Sequence, residues 1–243
     1  MIPLMRLLSV IMPVFNERAT VETIVERVLG VELPLELVIV DDLSSDGTIE
    51  VLEGLAGRDN RIRLVRHGIN RGKGAAVRTG FEHARGDVMV IQDADLEYDP
   101  ACFPRLLGPI EHDLADVVYG SRILGPGRRG MRPIQLAANK FLTGFSNIMT
   151  GLRLSDMETC YKMFRAELVR GVEFRSERFG IEPELTAHFA GLGARIAEVP
   201  IDYDGRDHAA GKKIGIRDGV EALWAILRFS GPAARREKRQ DGH

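Results

Sequence analysis

Short aliphatic runs alternate with helical periodicity through the first half of the chain. Residues 8–14 read as a buried strand, and Val21, Ile24, Val25, Val28 and Leu29 then fall at i, i+3, i+4, i+7 and i+8, one face of a helix. Residues 37–40 predict a second strand. The Asp46-Gly47 turn leads into a helix over 49–55, and residues 61–65 alternate polar and apolar as a third strand. A helix over 72–84, a strand over 88–91, a helix over 100–110 and a strand over 117–119 continue the series. Strands spaced by helices imply βαβ units, a mostly parallel sheet flanked by helices, and ligands bound outside the C-terminal strand ends.

The rhythm breaks at Gly120. Arg122, Arg128, Arg129 and Arg132 are interspersed there with Gly125, Gly127 and Gly130. Helical stretches over 134–149 and 184–190, a strand over 195–201 and a last helix marked by Val220, Leu223, Trp224 and Leu227 follow. Two parts of one domain are expected: residues 1–120, which carry the acidic strand ends, and residues 121–230, which carry the basic loops. Residues 231–243, with Arg235, Arg236, Lys238 and Arg239, form a basic tail.

Composition narrows the functional classes. A chain of 243 residues, 44% hydrophobic, can bury a sizeable core. Its formal charge of -2 argues against coating nucleic acid. No apolar run reaches the roughly 20 residues that cross a bilayer, and residues 7–15 lack the cleavage signature of a signal peptide. A cytoplasmic protein is expected, whose contact with a membrane would be peripheral, on the cytosolic face, or through a membrane-anchored partner. Cys102 and Cys160 form neither a CxxC nor a zinc pattern, so reduced thiols are expected.

Candidate chemistry clusters at strand ends. Asp93-Ala94-Asp95 follows the fourth strand, where two carboxylates one residue apart can share a hard divalent cation, with Glu97 as a third oxygen source. For a bare DxD an acidic turn is the better explanation, since Asp is common in turns, but the surroundings here reverse that and favour chemistry. Pro13-Val14-Phe15-Asn16-Glu17 ends the first strand, and Val40-Asp41-Asp42-Leu43-Ser44 ends the second. Asn70-Arg71-Gly72-Lys73-Gly74 opens the next helix, where free amides and the macrodipole favour anions.

Together the segments PVFNE, VDDLSSDGT, NRGKGAAVRTG and QDADLEYDP resemble the family 2 inverting glycosyltransferases, in particular the dolichol-phosphate mannose and glucose synthases. The resemblance continues through Gly120-Ser121-Arg122, Asp156 to Lys162, and Arg206 with Gly211 to Gly215. It implies the GT-A nucleotide-diphospho-sugar transferase fold. It assigns Pro13, Phe15, Glu17, Val40 and Asp42 to base and ribose, and Lys73 and Ala94 to donor binding. Asp93 and Asp95, with Glu97, would hold Mg²⁺ or Mn²⁺. Arg206 and Lys212 would grip donor phosphates, and Arg122, helped by Arg129 or Arg132, the acceptor phosphate. Asp95, Arg122 and Arg206 are the expected catalytic set. GDP-mannose and UDP-glucose are the candidate donors, and a polyprenyl or dolichyl phosphate is the acceptor. A homo-oligomer is compatible with the same sequence.

A phosphate acceptor is already anionic at neutral pH, its second pKa lying near ~6, and needs no base. Asp156 could then orient its neighbours instead. A rival with the same fold would attack through a hydroxyl, with Asp156 or Glu158 as base, and Glu182 carries the same ambiguity. A dinucleotide oxidoreductase is disfavoured because Gly72-Lys73-Gly74 follows the third strand and Val77 replaces the small residue its motif needs. A phosphatase would carry DxD after its first strand. A non-catalytic nucleotide-sugar sensor would leave the metal pair and basic loops unexplained.

Overall fold

The computed structural model describes residues 6–125, 130–178, 180–205 and 216–230. Strands β1 (Leu8–Val14), β2 (Leu35–Asp41), β3 (Ile62–Arg66), β4 (Val88–Ile91), β5 (Val117–Ser121), β6 (Lys162–Arg165) and β7 (Ile196–Pro200) form one sheet in the order β3-β2-β1-β4-β6-β5-β7. Every pairing is parallel except the two made by β6. Helices α1 (Val21–Leu29), α2 (Thr48–Ala56), α3 (Lys73–His83), α4 (Phe103–Glu111), α5 (Pro133–Thr150), α6 (Ile181–Gly191) and α7 (Ile216–Ser230) connect and cover the strands. All seven residues of β1 are buried, as a central strand packed on both faces requires.

The chain leaves β1 toward β2 and β3, then returns to place β4 on the other side of β1. That reversal creates the crevice where doubly wound sheets bind ligands. Register aligns Val14 with Asp41 and Ile11 with Ile91, so the segments after β1, β2 and β4 leave the sheet on one rim. At the opposite end, Arg165 and Arg195 converge on Asp113 and Asp116 and tie together β5, β6 and β7.

Three elements differ from the sequence expectation. β5 continues through Gly120 and Ser121, with Gly120 N donating to Tyr161 O. The helix expected over 100–110 begins as a 3-10 turn, Pro100–Cys102, capped by the Asp99 carboxylate accepting from Ala101 N, before α4 starts. β6 was not foreseen. It is four residues long, it starts with a lysine, and it runs against its neighbours, so neither periodicity nor the βαβ rhythm announces it.

The last helix shows a further difference. It turns Ala222, Ala225 and Ile226 inward, whereas Val220, Trp224 and Leu227 are exposed. Core packing therefore does not account for three of the four apolar residues that marked this helix in the sequence, the half-buried Leu223 being the exception.

Candidate active site

The β2 rim organises the start of α3. Asp42 is buried, and its carboxylate accepts from Arg71 N at 2.8 Å, Gly72 N at 2.7 Å and His67 Nδ1 at 2.7 Å. Ala75 N donates to Glu177 O. At this helix start the amides of Arg71, Gly72 and Ala75 are thus taken by the chain's own carboxylate and carbonyl. Close packing explains the two glycines here: a Cβ on Gly72 or Gly74 would collide with the carbonyls of Glu177 and Ser176. Gly72 also adopts φ +89, which disfavours any side chain there.

Lys73 reaches from this helix start to the β4 rim. Its Nζ lies 2.8 Å from Asp93 Oδ1 and 2.8 Å from Glu182 Oε1. Burial opposes charge on Lys73 and Asp93, yet the neighbouring carboxylates raise Lys73 well above the usual lysine range, and the ammonium holds Asp93 below the usual carboxylate range. Glu182, in the first turn of α6, is buried and leaves Oε2 with no hydrogen-bond partner among the described residues.

Asp95 Oδ1 accepts from Glu97 N at 3.1 Å, while Glu97 Oε2 accepts from the Tyr203 hydroxyl at 2.7 Å. Ala94 is buried and its carbonyl lies 3.0 Å from the Thr20 hydroxyl, which also approaches Glu17 Oε2 at 2.8 Å. Asp93, Asp95 and Glu97 are not gathered into one three-carboxylate cluster among the described residues. Their chemistry still fits a hard divalent cation, because the donors are carboxylate oxygens with no thiolate or imidazole among them.

Pro13 and Val40 pair in register inside the sheet, and both are buried. Phe15 is exposed just beyond β1. Asn16, at φ 55, and Glu17 are held to the β2 loop through Ser44 Oγ and Thr48 Oγ1.

The second rim is built around Arg122. Its main-chain N and Nε donate to Asp156 Oδ2 at 3.0 and 2.8 Å, and an Nη donates to Asp156 Oδ1 at 2.7 Å. Asn139 of α5 adds a fourth hydrogen bond to Oδ1. Burial works against both charges, but each stabilises the other: Arg122 is raised and Asp156 lowered. The guanidinium lies 5.3 Å from the Tyr203 ring centroid and 6.0 Å from that of Tyr98. The same Tyr203 therefore joins Arg122 to Glu97, a link for which the sequence carried no signal.

Glu158 behaves differently from Asp156. Its Oε1 is buried without a hydrogen-bond partner among the described residues, and burial, then the Glu182 charge, pushes it up to about 7. Lys162, fully buried at the start of β6, donates to the Met157 and Thr159 carbonyls and fixes this loop. Arg206 and Lys212 lie outside the described residues, as do Arg128, Arg129 and the basic tail.

The family model described as glycosyl transferase family 2 matches residues 9–172. The undecaprenyl-phosphate mannosyltransferase of Micrococcus luteus is 32% identical over 241 residues, spanning 92% of this chain and 98% of that protein. The dolichol-phosphate mannosyltransferase of Pyrococcus furiosus is 28% identical over 92% of this chain, which spans 64% of that longer protein. Among solved structures, glucosyl-3-phosphoglycerate synthase of Mycobacterium tuberculosis, crystallised with Mn²⁺, UDP-glucose and phosphoglyceric acid, matches with a TM-score of 0.69 at 23% identity, over 93% of this chain and 80% of that one. The architecture is accordingly the GT-A fold expected from the sequence. With the family model covering most of its length and a relative of matching extent, this chain belongs to glycosyl transferase family 2 and is a glycosyltransferase.

Proposed function

We propose that this chain transfers a hexose, mannose or glucose, from a nucleotide-diphosphate sugar to a polyprenyl phosphate, with inversion at the anomeric carbon. The observation that carries this reading is the Arg122–Asp156 pair. Asp156 is buried, fully hydrogen-bonded and held ionised, which suits an orienting group and makes it a weak base. Arg122 is a permanently charged group fixed in direction, suited to drawing one anion toward another. A phosphate nucleophile needs that charge and needs no base. The relatives named for mannosyl transfer to undecaprenyl and dolichol phosphate support the same acceptor class.

On the donor side, Pro13, Phe15, Glu17 and Val40 would receive base and ribose. Asp42 would act through the Arg71-Gly72 turn that it holds. Asp93 and Asp95, with Glu97, would hold Mg²⁺ or Mn²⁺, which when bound supplies positive charge to the leaving diphosphate. Lys73 keeps Asp93 ionised and oriented. Arg206 and Lys212 would add cations to the departing phosphates. The acceptor rim around Arg122 would be aided by Arg129 or Arg132, in the half following residue 120. Because the acceptor is a lipid, the protein would work in peripheral contact with a membrane.

The hydroxyl-acceptor alternative is favoured by one observation, Glu158, whose elevation to about 7 suits a general base. Incubating radiolabelled GDP-mannose and UDP-glucose with a polyprenyl phosphate, and separately with sugar acceptors, decides between the two. Label in the lipid fraction supports the proposal; label in sugar acceptors alone overturns it.

A further inference from the structure

Among the described residues, two buried carboxyl oxygens have no hydrogen-bond partner, Glu158 Oε1 and Glu182 Oε2. Glu182 is 6% exposed, and its other oxygen takes the Lys73 ammonium at 2.8 Å. Nearby carboxylates differ. Both oxygens of Glu184 accept amides, from Arg175 N at 2.7 Å and Ser176 N at 2.8 Å, and both oxygens of Asp156 are occupied. A buried acceptor without a donor is costly, so the two orphans call for donors that the chain itself does not supply.

The loop that carries Glu158 bridges the two rims. On one side the Cys160 thiol donates to Ile91 O at the end of β4, the strand that leads to Asp93. On the other, Thr159 Oγ1 donates to Gly120 O in β5, the strand that leads to Arg122. The Lys162 ammonium donates to the carbonyls of Met157 and Thr159, one before and one after Glu158, and so fixes the main chain there. Glu182 arrives from α6 and is tied through Lys73 to the Asp93 side. After burial, its charge is the largest influence raising Glu158, so the two orphan oxygens belong to neighbouring side chains between the β4 rim and the Arg122 rim.

We propose that Glu158 Oε1 and Glu182 Oε2 accept hydrogen bonds from hydroxyl groups of the transferred sugar, and that this pair selects a neutral, hydroxyl-bearing sugar over a uronic acid. The inference rests on the reading above, because a sugar joined to diphosphate at the Asp93 rim and attacked from the Arg122 rim lies between them. Hydroxyls are the donors that the two oxygens lack, and a site built to bond them rejects analogues that cannot do so. A uronate brings a carboxylate with no proton to give and sets it beside two acidic groups.

The test is donor binding by titration calorimetry on the full chain, with Mn²⁺ and without acceptor. Whichever of GDP-mannose and UDP-glucose binds wild type more tightly is compared with its bare nucleoside diphosphate and with the corresponding uronate. Glu158→Ala and Glu182→Met should each raise the Kd of the sugar nucleotide about tenfold, the worth of one such hydrogen bond, while the Kd of the diphosphate stays within about twofold and shows that each variant is folded. Glu158→Gln keeps a carbonyl acceptor and should restore most of the loss. Wild type should bind the uronate about tenfold more weakly than the neutral donor. Equal changes for sugar nucleotide and diphosphate, or a uronate bound as tightly as the neutral donor, would each overturn the proposal. So would an unchanged Kd in both variants, the result expected if Glu158 served only as a base toward the acceptor. If the sugar nucleotide responds as expected and no polyprenyl phosphate accepts sugar from wild type, the sugar contacts stand and the acceptor reading fails.

Discussion

Asp156 and Arg122 meet side-on, through two side-chain hydrogen bonds of 2.8 and 2.7 Å and a third from the Arg122 main chain at 3.0 Å. Replacing Asp156 by Asn removes the charge and leaves a buried guanidinium uncompensated. Breaking such a pair costs about 3 kcal/mol, which for a chain of this size lowers Tm by roughly 10 °C. Transfer should fall more than the stability loss explains, because Arg122 loses its fixed direction. A thermal melt and an initial-rate measurement on the same preparation check both parts. Arg122→Lys should not restore the rate, since lysine cannot form the two-pronged pair.

Lys73 holds Asp93 and Glu182 on one ammonium. In Lys73→Met the two carboxylates face each other unneutralised, so the variant should melt below wild type. Adding Mn²⁺ should then raise its Tm by several degrees more than it raises that of wild type, because a cation replaces the missing charge. Equal shifts in the two proteins would detach Lys73 from the metal site.

Asp95 lies at the rim, partly exposed, with its carboxylate capping Glu97 N. Asp95→Ala should therefore leave Tm within about 2 °C of wild type. Transfer should be abolished at any Mg²⁺ or Mn²⁺ concentration. Wild-type rates in this variant with metal present would remove Asp95 from the metal assignment.

Glu158 gives a pH dependence of defined sign. Its carboxyl is raised from 4.5 to about 7, so the folded protein binds this proton more tightly than the unfolded chain. The stabilisation is complete below the unfolded value and is lost as pH rises through the folded one. Glu158→Gln removes that loss. The variant should be more stable than wild type by about 3 kcal/mol near pH 8, and indistinguishable from it near pH 4. Melts across this range measure the difference directly.

The parallel half of the fold was legible because its strands are aliphatic runs and its helices keep a 3.6 period, as residues 8–14 and Val21 to Leu29 illustrate. The candidate rim was legible as well, since Asp93, Asp95, Asp42 and Glu17 each follow a strand. Partnerships were hidden. Asp42 takes its amides from Arg71 and Gly72, and Lys73 joins residues 20 and 109 positions ahead of it, pairings that exist only once β4 and α6 are in place. β6 was missed because Lys162 opens a four-residue antiparallel strand. Helix α5 was expected over 134–149, but apolar periodicity does not report that Asn139, Thr143 and Ser146 are its fully buried positions.

The central claim, that the nucleophile is a phosphate oxygen, is tested most directly by comparing acceptors that differ in that group alone. Radiolabelled donor is offered to a polyprenyl phosphate and to the polyprenol of the same chain length, with wild type and Glu158→Gln. Label is expected on the phosphate, none on the alcohol, with transfer by both proteins. Label on the polyprenol that disappears in Glu158→Gln would contradict it and establish Glu158 as the base of a hydroxyl-directed enzyme.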